Sequence, residues 1–185
     1  LRAAHHAPSV GLMQPWNFIV IQSPATKARV REGFLRENER AAGNYTGARQ
    51  ALYRSLKLEG IEEAPVNVCV TCDRSRSGPH VLGRNTIPDT DIYSTCCAIQ
   101  NLWLAARGEG IGVGWVSILS QRDLREILAI PAHVLPVAYL CLGYPRQFFD
   151  EPELQARGWA TRLEIEALIY RERWGASGAG GRPET

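Results

Sequence analysis

No stretch of this sequence approaches the roughly 20 consecutive apolar residues that cross a bilayer. The uncharged run 92–106 is shorter and holds Ser94, Thr95, Gln100 and Asn101. The start carries no secretory signal, because Arg2, His5 and His6 are not followed by an apolar core. A dominant charge is missing too. The 21 basic and 19 acidic residues leave a net charge of +2, and the two signs interleave along the chain. A nucleic-acid binder would gather its Lys and Arg on one face. The expectation is therefore no nucleic acid, no membrane, and a cytoplasmic location by default.

Cysteine occurs without a pairing pattern. Cys69 and Cys72 spell C-x-x-C, but they fall in 66–72, whose composition reads as a strand. Three residues apart on a strand, their side chains face opposite ways and cannot share a metal. Cys96 and Cys97 are neighbours on an expected helix and diverge as well. Buried, reduced thiols and no metal site are expected.

What remains is an ordinary globular composition, 45% apolar and 22% charged over 185 residues, enough for one domain with a real core. That domain is expected over 1–175, with the Gly/Pro-rich tail 176–185 disordered. The chain begins with Leu, on a helix-like 1–6, and a further segment is expected upstream. The apolar run 17–22, closed by Ser23-Pro24, predicts a strand. Apolar spacing predicts helices over 26–39 and within 45–63, broken by Gly47 and Gly60. A strand over 66–72 and a loop over 74–89 follow.

Asp91 stands where an N-cap would, ahead of an uncharged helix 92–107. That helix is apolar nearly all round, so burial is expected, including burial against a second subunit. A glycine-bearing strand over 112–117, a short helix over 122–128, a fully apolar strand over 136–142 and a helix near 164–173 complete an α+β pattern. Such a helix in so small a domain suggests an obligate dimer.

Two segments carry chemistry. The first is 4–18, A-H-H-A-P-S-V-G-L-M-Q-P-W-N-F, in which Pro8 ends a helix and Gly11 permits close approach over a polar concavity. The second is 91–118, ending G-V-G-W-V-S-I. The A-P-S-x-x-x-x-Q-P-W-x-F run and the N-L-W-L-A-A-R-x-x-G-I-G-V-G-W run resemble the superfamily of FMN-dependent nitroreductases. The W-V-S-I ending, R-S-L-K-L-E-G-I at 54–61, C-V-T-C-D-R at 69–74 and E-P-E-L-x-x-x-G-W at 151–159 are similar to its flavin-destructase branch, the 5,6-dimethylbenzimidazole synthases.

That resemblance implies a nitroreductase-like fold, a central mixed sheet flanked by helices, with FMN at a homodimer interface. It implies that reduced FMN is the substrate. Molecular oxygen fragments it to 5,6-dimethylbenzimidazole and erythrose 4-phosphate for cobalamin lower-ligand synthesis, and a separate flavin reductase supplies the reduced FMN. Ser117 would be the catalytic hydroxyl. Pro8 and Ser9 would contact FMN across the interface, Trp115, Val116 and Ser117 would meet the ring system, and Arg162 would hold the phosphate. The stretch 36–63 resembles the family's lid; composition alone reads it as a solvated helical pair.

One departure stands out. The family carries an R-R-D-x-R segment ahead of the A-P-S turn, and this sequence begins after the place where it belongs. His5 and His6 occupy the remaining N-terminus and read as structural. Two alternatives share the fold: an NAD(P)H-dependent flavin or nitro reductase, and a non-catalytic flavin-binding dimer.

Overall fold

Apolar runs rich in β-branched residues form the strands, and longer stretches with helical spacing form the cover. A computed structural model describes residues 1–175, so the expected disordered tail 176–185 lies outside the described residues. Two compact units are present, Leu1–Phe148 and the residues from Phe149 onward. In the first, β1 (Trp16–Ile21), β2 (Val66–Asp73), β3 (Gly112–Val116) and β4 (Val134–Gly143) make one sheet in the order β1-β2-β4-β3.

The unit is α+β, as expected, but all three strand pairings are antiparallel, where a mixed sheet was expected. The reason is topological. The helical crossover between β2 and β3 leaves those two strands parallel but not adjacent, and β4 returns antiparallel between them. An extra residue, Val137, lies in β4 where the register shifts opposite Val70 and Thr71.

Helices cover both faces of the sheet. On one face α1 (Arg2–His5) and α4 (Thr90–Gly108) pack Ala4, Ala98, Ile99 and Leu102 against Val68, Val70, Ala138 and Leu140. On the other, α2 (Pro24–Ala42) and α5 (Gln121–Leu128) pack Val30, Phe34 and Leu124 against Cys69, Tyr139 and Cys141. Ser23 caps α2, its hydroxyl accepting from Thr26 N with Pro24 in the first turn, and Ser120 caps α5 in the same way.

Cys69 and Cys72 do face opposite sides: Cys69 joins the α2/α5 core, while Cys72 lies beside Thr95 of α4. Burial pushes the Cys69 thiol up to about 12 and Cys141 to about 11. Cys97 departs from the expectation and is exposed, because it sits on the side of α4 that faces away from the sheet.

Three other expectations change. Asp91 is not the N-cap of α4 but lies inside its first turn, fully buried, because arginines from the preceding loop claim its carboxylate. The second helix of 45–63 is only α3 (Gly47–Ser55). Downstream, Ile61 drops into the core, Asn67 Nδ2 donates to its carbonyl at 2.8 Å and to Tyr139 Oη at 2.9 Å, and the buried Lys27 amine donates to Pro65 O at 3.0 Å.

In the second unit, α6 (Glu153–Ala156) and a single 3-10 turn, Ile165–Leu168, replace the helix expected near 164–173. No described residue of that unit is buried, so no packed face supports a longer helix. No described helix is long and apolar enough to cross a membrane.

Candidate active site

The turn after α1 is tightly specified. Ser9 Oγ accepts from Gln14 N at 3.0 Å and closes the turn, while Val10 N donates to Ser94 Oγ of α4 at 3.0 Å. Gly11, Leu12 and Gln14 all have positive φ. Arg76 clamps the exit, donating to the carbonyls of Gln14 and Trp16 and to Asn17 Oδ1. His5 is structural: its Nδ1 accepts from Trp16 Nε1 at 3.3 Å, with the two rings edge to face. Pro8 is exposed and Ser9 half-buried.

The second group lies on an edge strand. β3 pairs only with β4 among the described residues, so one side of its backbone is open. Trp115 is 38% exposed, Val116 is buried, and Ser117 follows the last strand residue with its side chain exposed. A Cβ at Gly114 would meet no atom within 4 Å.

The sheet keeps these two groups apart within one chain. The turn leads into β1 at one edge and Ser117 leaves β3 at the other, three strand spacings or about 14 Å away. Arg162 lies in the second unit, exposed, its backbone N–H donating to Gln155 Oε1 at 3.0 Å.

A cluster that sequence reading missed lies beside the turn. Arg74 Nε is 3.1 Å and Arg84 Nη1 3.6 Å from Asp91 Oδ2, and Arg74 Nη2 is 3.0 Å from Asp89 Oδ1. Arg74, Arg84 and Asp91, with His80 and Asn85, line a cavity of about 470 Å³. The only signal was Arg74 closing C-V-T-C-D-R; its partners lie 15 and 17 residues on.

α4 buries less than expected in a single chain. Its sheet-facing side is covered, but Tyr93 is 56% and Leu104 62% exposed, with Cys97 and Gln100 exposed between them. Positions 93, 97, 100 and 104 repeat at alternating steps of four and three, one continuous stripe along a helix.

Residues 1–144, from the turn through the edge strand to the end of β4, match the nitroreductase family. The chain belongs to that family. It is 44% identical over 162 residues to the 5,6-dimethylbenzimidazole synthase of Rhodospirillum rubrum, covering 88% of this chain and 77% of the relative. A 5,6-dimethylbenzimidazole synthase of Rhodobacter capsulatus is 40% identical over 160 residues, 86% of this chain and 77% of its own. Among solved structures, an iodotyrosine deiodinase bound to FMN and 3-iodo-L-tyrosine superposes with a TM-score of 0.68 at 21% identity, covering 93% of this chain and 83% of that one. At that identity the likeness is one of nitroreductase fold.

Proposed function

We propose that this protein is a 5,6-dimethylbenzimidazole synthase of the cytoplasm. It fragments reduced FMN with molecular oxygen to 5,6-dimethylbenzimidazole and erythrose 4-phosphate, the benzimidazole serving as the cobalamin lower ligand. The observation that carries this reading is the 44% identity to a 5,6-dimethylbenzimidazole synthase across 88% of the chain.

The residues present fit a flavin. The open side of β3 offers unpaired backbone groups, the space at Gly114 admits a flat ring, and Trp115 flanks it. Reduced FMN, when bound, supplies both the electrons for oxygen and the ring that is broken. Ser117 acts as the catalytic hydroxyl at the ring edge, and Trp115 and Val116 present backbone groups to it. Pro8 and Ser9 reach the flavin of a second subunit, and Arg162 holds the phosphate.

A homodimer is part of the same reading. The separation of turn and edge strand within one chain supports a site completed by two copies. So do the uncovered stripe on α4 and the second unit, where Phe149, Leu163, Ile165, Leu168 and Trp174 are all more than half exposed. Residues 36–63 act as the lid, with Arg54 paired twice to Glu39 at 2.7 and 2.8 Å and Tyr53 Oη donating to Asn38 Oδ1. A separate flavin reductase supplies the reduced FMN.

The test loads the protein anaerobically with reduced FMN, admits oxygen and identifies the products. 5,6-Dimethylbenzimidazole is expected. Intact oxidised FMN and peroxide, with NAD(P)H consumed by the protein itself, would assign the reductase activity of the wider family instead.

A further inference from the structure

Leu12 breaks two rules at once. Its φ of +53° lies in the left-handed region that L side chains avoid, and its side chain is 77% exposed. Among the described residues nothing covers that side chain. Leu82 sits beside it and is 86% exposed. Two glycines bring the segments together. A Cβ on Gly11 would meet Val81 Cγ1 at 2.7 Å and Leu82 O at 2.9 Å, and one on Gly83 would meet Val10 Cγ2 at 3.2 Å. The turn and residues 81–83 therefore interlock backbone to backbone.

The pair stands on a braced platform. Ser9 Oγ closes the turn and Arg76 clamps its exit. Arg84 donates to Arg74 O at 2.6 Å and lies 3.8 Å from Met13 Sδ. A strained conformation persists only where its surroundings hold it, and such strain concentrates at clamps and contact sites. Two exposed leucines on a rigid, strained support are the mark of an anchor for something outside this chain.

We propose that Leu12 and Leu82 anchor a second copy of this chain, and so seat the Pro8–Ser9 turn against that copy's flavin edge. The inference rests on the homodimer of the preceding section. Its ground for choosing a second copy is continuity. The bond from Val10 N to Ser94 Oγ fixes the turn on the first turns of α4. There Tyr93 begins the exposed stripe that runs through Cys97 and Gln100 to Leu104, so the leucine-bearing turn packs on the end of α4 where that stripe starts. The two leucines are positioning residues and touch no reacting atom.

The test compares full-chain wild type with Leu12→Gly and Leu82→Ser by mass photometry and sedimentation equilibrium, together with thermal melts and FMN titrations. Each variant should raise the dimer Kd about 10²- to 10⁴-fold, the worth of two buried leucines, one from each copy. FMN affinity should return once the protein is concentrated enough to restore the dimer. There Leu12→Gly should melt no lower than wild type, because glycine relieves the backbone. A wild-type dimer that both variants leave as tight overturns the inference, and so does loss of helical signal in Leu12→Gly when dimeric, which would place the leucine's role inside the chain. A wild type monomeric at all concentrations sinks the homodimer itself.

Discussion

Asp91 Oδ2 lies 3.1 Å from Arg74 Nε, a contact that ties the end of β2 to the first turn of α4 across the loop between them. The carboxylate is fully buried, while the Arg74 side chain is 41% exposed and that of Arg84, the second partner, 16%. Replacing Asp91 by Asn takes the shared carboxylate from Arg84 and leaves Arg74 paired with Asp89. Stability should fall by about 3 kcal/mol, at the low end for a broken buried pair because Arg74 still reaches water. Urea denaturation measures this, and a loss below about 1 kcal/mol would show that the cluster holds nothing together.

On the proposed reading, Ser117 should separate fragmentation from simple flavin oxidation. Ser117→Ala should change reduced-FMN affinity by no more than about 1.5 kcal/mol, the worth of one neutral hydrogen bond. Benzimidazole formation should fall about 10²–10⁴-fold, the usual contribution of a positioned proton-transfer group. Oxygen uptake should continue, ending in oxidised FMN and peroxide. An unchanged benzimidazole yield would remove Ser117 from the chemistry.

Arg162 is assigned to the phosphate, which gives a comparison within one variant. Arg162→Ala should weaken FMN binding about 10- to 100-fold, the range for a hydrogen bond to a charged group. Riboflavin, which lacks the phosphate, should bind wild type and variant alike. Equal losses for both ligands in calorimetry would assign the arginine to another task.

Cys69 sets an alkaline limit. Its thiol ionises near 9.0 in the unfolded chain and, because of burial, only at about 12 in the folded one. The folded-state value is the higher, so the stabilisation is complete below pH 9 and lost as pH rises towards 12. Above pH 9 each unit should cost about 1.4 kcal/mol from this group. Cys69→Ala should flatten that decline in melting temperature, leaving a weaker slope from Cys141. Parallel pH profiles for the two proteins would refute the assignment.

Much of the architecture was legible because it is local. The β-branched composition of 66–72 and the uncharged length of 92–106 mark β2 and α4 almost to the residue, and the G-V-G-W-V-S run places the edge strand. What stayed hidden depends on partners distant in sequence. Asp91 looks like a helix cap until Arg74 and Arg84 are seen to claim it. The left-handed Leu12 leaves no sign in its own residue type, because Gly11 is held by a loop 70 residues downstream. Residues 164–173 carry helical composition, yet nothing among the described residues gives that helix a face to bury.

The position of β4 between β2 and β3 also dictates an order of events during synthesis. β3 has no hydrogen-bonded neighbour except β4 among the described strands, and β4 begins 18 residues after β3 ends. While 134–143 are still inside the ribosome, the emerged chain can join β1 to β2 and form α4, but Trp115 to Ser117 have no strand to lie against. The edge strand is thus among the last parts of the sheet to be knitted, and any site built on it forms only once the sheet is complete.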